Sequence, residues 1–327
     1  MIFSFTATPE FDFMTDFARH IGATLIDDML VIPHHLGNGN IRRLSFGSEF
    51  KITMHHYMLK EDLIIKRNTS GLGNELITVF FYSNEQTLGI AFDANEDIHF
   101  SERGDAAIQI TSNDVSSTIR FPRGHTIHYM VVAIMPTYLK ILLALNKVNS
   151  ILDTITKPGN SFLYFENMTT ETKLLLKNLS AVDITRELSQ FYMQIKVQEL
   201  LYLLFQKLSR RESLPHHNIN SADAARLLNI RNQIIGDLST PPVLAELAQI
   251  AAMSETKLKQ LFKQAFGDTI YNYFQRVRME EAAFLLKQGQ RSVAEVGYEL
   301  GFTNLSHFSR LFERHYGFTP KRYSSQG

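Results

Sequence analysis

The chain has 327 residues, with 33 Lys and Arg balanced by 33 Asp and Glu, and a hydrophobic share of 44%. That length suits two or three domains with real cores. Cysteine is absent, which excludes disulfide scaffolds, zinc–thiolate fingers, iron–sulfur clusters and thiol nucleophiles. No apolar run reaches the ~18–20 residues of a membrane span. The opening MIFSFTATPEFDF carries acids where a secretion signal carries bases, so a cytoplasmic protein with no membrane partner is expected. The neutrality hides an asymmetry. Residues 222–327 hold 13 Lys/Arg against 10 Asp/Glu, a net of +3, and the other 20 and 23 leave the first 221 residues at −3. A basic bias of this size is compatible with nucleic-acid contact.

Asp12–Ile21 reads as a helix, and the rest of the first 45 residues gives no clear pattern. From 49 to 134 the chain predicts seven short strands: Glu49–Met58, Leu63–Arg67, Leu76–Tyr82, Thr87–Phe92, Ala107–Thr111, Ser117–Phe121 and Thr126–Ile134. They are rich in β-branched and aromatic residues and separated by turn-forming stretches such as Pro122-Arg-Gly124. Seven strands without interleaved helices point to a β-sandwich or barrel. Alternation places Ile127, Tyr129, Val131 and Ala133 on one face, and Ile77, Val79 and Phe81 on one face. Such rows serve as plain core more often than as a pocket lining. Phe80, Tyr82, Phe92, Arg120 and Tyr129 are candidates to line a cavity for a small, partly polar or anionic ligand.

After Pro136 helices are expected at Tyr138–Leu145, Thr170–Leu179 and about Thr185–Ser209. In the last, Leu188, Phe191, Tyr192, Ile195, Leu201, Phe205 and Leu208 form an apolar stripe. It packs against its own domain or against a second copy of the chain; periodicity leaves both open. Arg210–Ser221 is polar, contains Pro215 and reads as a linker. The organisation expected is a β-rich domain over 1–135, a helical segment over 136–210, a linker over 211–221 and an all-α domain over 222–327.

In that last domain the capping signals are legible. Leu227, Leu228, Ile234, Ile235 and Leu238 give a first helix, and Val243–Ala251 a second. Ser254 caps a third, with Leu258, Leu261, Phe262 and Ala265 inward and Gly267 at its end. A long amphipathic helix runs from about Thr269 to Lys287 with Ile270, Phe274, Val277, Ala282 and Leu285 inward. The pattern then repeats. Ser292-Val-Ala-Glu295 is a capping box, Gly301 makes a turn, and a helix starting at Thr303 turns Phe308, Leu311 and Phe312 inward. Gly317 closes that helix, and Thr319-Pro320 opens a last one. Two helix-turn-helix units with polar-faced second helices, 49 residues apart and joined by one helix, suit successive major-groove segments of DNA.

The stretch Val293-Ala-Glu-Val-Gly-Tyr-Glu-Leu-Gly-Phe-Thr-Asn-Leu-Ser-His-Phe-Ser-Arg-Leu-Phe-Glu-Arg-His-Tyr-Gly-Phe-Thr-Pro320 resembles the DNA-binding domain of the AraC/XylS family of bacterial transcription regulators. Ala248–Gly267 and Arg276-Val-Arg278-Met279 resemble its first unit and connector, and the likeness over 243–323 covers about a quarter of the chain. Ala252 stands where the family has glycine, which strains the turn if φ is positive there. Leu305 stands at a position often polar; it touches a thymine methyl or rolls into the core beside Phe312. By exposure, Thr256, Lys259, Gln260, Leu305, Ser306, His307 and Arg310 are candidates for base contacts, with Arg310 the best placed for bidentate guanine recognition. Lys257, Lys263, Arg314 and Lys321 are candidates for phosphate contacts.

The resemblance implies an α+β protein, with an N-terminal β-rich, cupin-like domain and helical dimerisation segment before the double helix-turn-helix domain. It also implies a homodimer on double-stranded DNA, a possible small-molecule effector, contact with RNA polymerase, activation more often than repression, and no cofactor. One competing reading is a cupin-type metal enzyme fused to a DNA-binding domain; another is a regulator whose N-terminal domain only dimerises. The enzyme needs His-x-His plus further ligands. His34, His35, His55, His56, His99, His125 and His128 offer no such strand, since His55 and His56 must face opposite ways. No metal and no catalytic residue is therefore assigned.

Overall fold

The computed structural model describes residues 1–69, 71, 75–83, 88–91, 98–100, 107–144, 150–183, 186–212 and 214–325. It divides into two compact units, residues 1–225 with 264–267, and residues 226–263 with 268–327.

The first unit opens with β1 (Ile2–Thr6), α1 (Phe13–Ile21), β2 (Leu25–Ile26), β3 (Met29–Val31), β4 (Gly37–Ser45) and β5 (Phe50–Leu59). It continues through β6 (Leu63–Asn68), β7 (Ile77–Tyr82), β8 (Leu88–Ala91), β9 (Ile98–Phe100), β10 (Ile108–Ser112), β11 (Ser117–Phe121) and β12 (Thr126–Ile134). Then come α2 (Pro136–Leu142), α3 (Ser150–Thr156), β13 (Leu163–Glu166), α4 (Thr170–Ser180) and α5 (Ser189–Ser209). The strands form a five-stranded sheet, β1-β6-β11-β8-β9, and an eight-stranded sheet, β13-β10-β7-β12-β5-β4-β3-β2. Every pairing is antiparallel except that of β1 with β6.

The larger sheet is covered on both faces. Phe50, Ile52, Met54, Ile77, Val79, Phe81, Met130, Val132 and Ile134 share a core with helix residues Leu139, Leu175, Leu179, Val197, Leu200 and Leu204. The alternate positions face the five-stranded sheet across a cavity. The run Ile77–Tyr82 is accordingly buried at every position, as a strand covered on two faces must be.

Six strands lie outside the expected set: β1, β2, β3, β4, β9 and β13. The sequence hides β4 because Gly37-Asn-Gly-Asn40 lacks strand-forming side chains. A Cβ at Gly39, where φ is +104°, would lie 2.3 Å from the His56 carbonyl oxygen, so glycine is what lets β4 pair with β5. Thr87, Phe92 and the turn at Asp93–Asn95 lie outside the described residues. The expected stripe on α5 resolves into two faces. Leu201, Phe205 and Leu208 are buried with Met193, Val197, Leu200 and Leu204, whereas Leu188, Phe191, Tyr192 and Ile195 are exposed by 72, 60, 42 and 47%. Nor is 211–221 a free tether. Ile219 is fully buried, its N–H donates to the Ser161 carbonyl at 3.2 Å, and the Ser221 hydroxyl lies 2.8 Å from that of Ser116.

The remaining helices are α6 (Ser221–Gly236), α7 (Leu244–Ile250), α8 (Glu255–Phe266), α9 (Ile270–Gln288), α10 (Val293–Glu299), α11 (Leu305–Tyr316) and α12 (Pro320–Ser324). In α9 the buried face includes Arg278 and Met279 as well as Ile270, Phe274, Ala282 and Leu285, while Val277 is half-buried. Among the described residues, no helix is long and apolar enough to cross a membrane.

Candidate nucleic-acid interface and interior cavity

The two helix-turn-helix units are α7–α8 and α10–α11. In the first, the Ser254 hydroxyl accepts the Lys257 N–H at 3.2 Å, capping α8. In the second, the cap of α11 is Asn304 rather than Thr303: its side-chain Oδ1 accepts from the Ser306 and His307 N–H groups at 3.0 and 3.1 Å. The caps are thus 50 residues apart where the sequence reading expected 49, because the turn after α10 is one residue longer than the turn after α7. α10 opens with the full capping box of Ser292 and Glu295.

Both turns pass through the left-handed region, Ala252 with φ of 47° and Gly301 with φ of 75°. The expectation about Ala252 was conditional on that angle, and the angle is positive. Arg278 fixes the second turn: its Nε donates to the Leu300 carbonyl at 2.7 Å, its Nη2 to the same oxygen, and its guanidinium lies 3.6 Å over the Phe302 ring. Arg231, almost fully buried, holds α6 to α9 through a 2.9 Å hydrogen bond to the Tyr273 hydroxyl. These two arginines are built into the domain and do not face outward.

Thr256, Lys257, Lys259 and Gln260 are exposed on α8, and Lys263 is half-buried. Lys259 pairs with Glu255 at 3.8 Å. Ser306, His307, Arg310 and Arg314 are exposed on α11, as is Lys321 on α12. Leu305 is half-buried, and a Cβ at Gly297 would lie 2.6 Å from its Cδ2, so this leucine packs down on α10. Each reading helix therefore presents a polar N-terminal half that is held by its own cap.

The interior cavity lies in the first unit, between the two sheets, with a volume of about 100 Å³. Strand register orders its walls. On the larger sheet, Ala133 sits between Lys51 and Thr78, Val131 between Thr53 and Phe80, and Tyr129 between His55 and Tyr82. On the smaller sheet Arg67 sits between Phe5 and Ser117. Phe80 and Tyr129 line the cavity as expected. Tyr82 is buried beside it with its hydroxyl 3.5 Å from Gln109 Oε1, Arg120 is exposed on the outside, and Phe92 lies outside the described residues.

The positive groups of the cavity are Arg43, Lys51 and Arg67, none of which the sequence reading picked out. Alternation from Leu63 through Ile65 to Arg67 gives the available signal, an arginine in register with the apolar face of a strand. Arg43 is paired with Asp12 and, at 2.7 Å, with Asp28. Lys51 Nζ donates to the carbonyls of Pro9 and Phe11 at 3.1 and 3.4 Å. Arg67 is different. It is 3% exposed, its Nη2 donates to the Val115 carbonyl at 2.6 Å, and its Nε and Nη1 have no hydrogen-bond partner among the described residues. Burial pushes its pKa down to about 10. His55 is buried against Tyr129, ring centroids 4.0 Å apart. Desolvation, with repulsion from His128, drops its pKa to about 3 and keeps it neutral. His56 faces the other side of β5 and is exposed.

Residues 247–326 match the family described as a helix-turn-helix domain. Over 80 residues, 24% of this chain, the sequence is 35% identical to an HTH-type transcriptional regulator of Haemophilus influenzae, spanning 27% of that protein. Over 126 residues it is 29% identical to the HTH-type transcriptional activator RhaS of Escherichia coli, 38% of this chain and 44% of that one. The chain thus spans less than half the length of either relative. Among solved structures, apo ToxT of Vibrio cholerae is similar over 85% of this chain and 97% of its own, at 13% identity and a TM-score of 0.35.

Proposed function

We propose that this chain, whose residues 247–326 match a helix-turn-helix domain family, is an AraC-type transcription regulator that binds specific double-stranded DNA sites as a homodimer. In this reading α8 and α11 of each subunit enter successive major-groove segments on one face of the duplex, about 34 Å apart. The observation that carries the proposal is the pair of separately capped helices whose exposed faces hold Thr256, Lys259 and Gln260 on one and Ser306, His307 and Arg310 on the other. Those six are assigned to base edges; Lys257, Lys263, Arg314 and Lys321 are assigned to phosphates. Leu305 is assigned to packing within the motif.

The exposed Phe191, Tyr192 and Ile195 on α5, with Leu188 at its N-cap, support pairing with a second copy. The cavity supports a small-molecule effector in the β-rich unit. Activation, through contact with RNA polymerase in the cytoplasm, follows the likeness to a named activator. The catalytic and metal roles of the enzyme alternative are not adopted, since His55 is buried against Tyr129 on one face of β5 and His56 is exposed on the other.

Selection of bound genomic fragments by the full-length protein tests the proposal. Expected are a few sites with paired elements about one helical turn apart, bound with an affinity that falls steeply with salt. Recovery of fragments with no shared element, or binding indifferent to salt, would overturn it.

A further inference from the structure

Along β5 the side chains part to two faces. Lys51, Thr53 and His55 line the cavity, while His56 continues the row of Phe50, Ile52 and Met54 that turns toward the helices. Register sets His56 directly opposite His128 of β12. The two rings lie 5.4 Å apart between centroids, tilted by 57°. Two protonated histidines would repel across such a pair, so its chemistry lies with the neutral rings.

His128 is held by α4. The Ser180 hydroxyl spends its single hydrogen on the Leu176 carbonyl at 2.9 Å, so at 2.6 Å from His128 Nε2 it accepts. The neutral His128 ring then carries its hydrogen on Nε2 and its lone pair on Nδ1. Burial, with the repulsion of His56, holds its pKa below the usual histidine range, which keeps that nitrogen unprotonated near neutrality. An imidazole whose other N–H donates to a fixed neighbour is the form in which histidine serves as a metal ligand. The spacing agrees. With a Zn–N bond of about 2.1 Å and about 1.1 Å from ring nitrogen to centroid, two imidazoles on a tetrahedral ion have centroids roughly 5.2 Å apart.

We propose that His56 and His128 together hold a divalent zinc ion on the helix-facing side of the larger sheet, tying β5 to β12 beside Ser180. His56 is exposed, which gives the ion a path of entry. Among the described residues no third His, Cys, Asp or Glu joins the pair, so water completes the tetrahedron. Two ligands are fewer than the three that catalytic zinc takes from protein, and the site is assigned binding without chemistry. It shares no residue with the cavity and is independent of the DNA-binding reading.

Zinc chloride is titrated by calorimetry into the full chain, free of any affinity tag, with magnesium chloride as the control cation that prefers oxygen ligands. One zinc per chain is expected, saturating below about 100 μM, and no magnesium. His56→Gln and His128→Gln should each weaken zinc binding about tenfold or more; the first removes an exposed side chain and opens no core. Zinc should also raise the melting temperature of the wild type and leave that of His56→Gln in place. The second readout is the histidine spectrum of the wild-type protein. The Hε1 resonances of His56 and His128, each assigned by its absence from the matching Gln variant, are expected to shift together with zinc while that of His55 stays. Zinc affinity unmoved by His56→Gln, other histidines shifting in place of these two, or no saturable zinc binding would each overturn the site.

Discussion

The two helix-turn-helix units of this chain share a plan and differ in how firmly their own residues hold it. The second has a capping box on α10, an asparagine cap on α11 and glycine at its left-handed turn. In the first, α7 starts at Val243 with no side-chain cap, and the turn forces an alanine to φ of 47°. The lesson is that the same fold can be over-determined locally in one copy while the other leaves its opening helix and its turn to tertiary packing. Leu247, Leu258, Leu261 and Phe262 are buried in the first unit as thoroughly as Val296, Phe308 and Phe312 are in the second.

Substitutions at the turns should break the symmetry most visibly. A Cβ at Gly301 would lie 1.8 Å from the Ser239 carbonyl oxygen, at a φ of +75°. Gly301→Ala is therefore expected to destabilise the C-terminal unit by about 3 kcal/mol or more, seen as a lower urea midpoint. A loss below ~1 kcal/mol would mean that the loop at Ser239 yields. Second in size is the DNA effect: Arg310→Ala should weaken specific binding by about 1–3 kcal/mol and relax preference at one base pair. Equal losses on specific and random DNA would move Arg310 to the phosphates. In the opposite direction, Ala252→Gly should stabilise the first motif by roughly 1 kcal/mol, which urea unfolding would register as a higher midpoint; an unchanged one would show that packing has already absorbed the strain.

The smallest effect concerns pH. Hydrogen bonds from the Ser292 backbone and hydroxyl hold the Glu295 carboxyl below the usual glutamate range. A lowered folded-state pKa contributes stability above the unfolded value and loses it as pH falls through the folded one. Glu295→Gln should thus cost stability near neutrality and little in acid, measured by melting at the two pH values. An equal cost at both would mean that the charge is irrelevant to the cap.

These contrasts also mark what the sequence could reveal. Caps and turns are local chemistry, so Ser292, Gly301, Gly317 and Thr319 were readable at their positions, and the strands starting at Leu63, Ser117 and Thr126 were readable from side-chain period. The strands β2 to β4 were not: β2 and β3 are only 2 and 3 residues long, and β4 is made by its pairing with β5 rather than by its own Gly-Asn run. The two faces of α5 merged into one stripe because the exposed Phe191, Tyr192 and Ile195 are as apolar as the buried residues, and only the sheet laid against the helix decides which face turns inward. In the cavity, aromatic content pointed to Phe80 and Tyr129, yet the free donors belong to Arg67. Whether a strand position looks inward or outward separates Arg67 from Arg120, and only the register between sheets decides that.

The pressure of Ser239 on Gly301 has a consequence for operator architecture. Ser239 belongs to the loop that leads into α7, and Gly301 to the turn that leads into α11, while Arg278 on α9 grips the carbonyl beside it. The turn that sets the direction of α11 is thus held from two sides. One base pair inserted between the two elements of a site would rotate the second by about 35° around the duplex. On the proposed reading, the sites this protein binds are expected to keep that interval fixed, even where the bases within it drift.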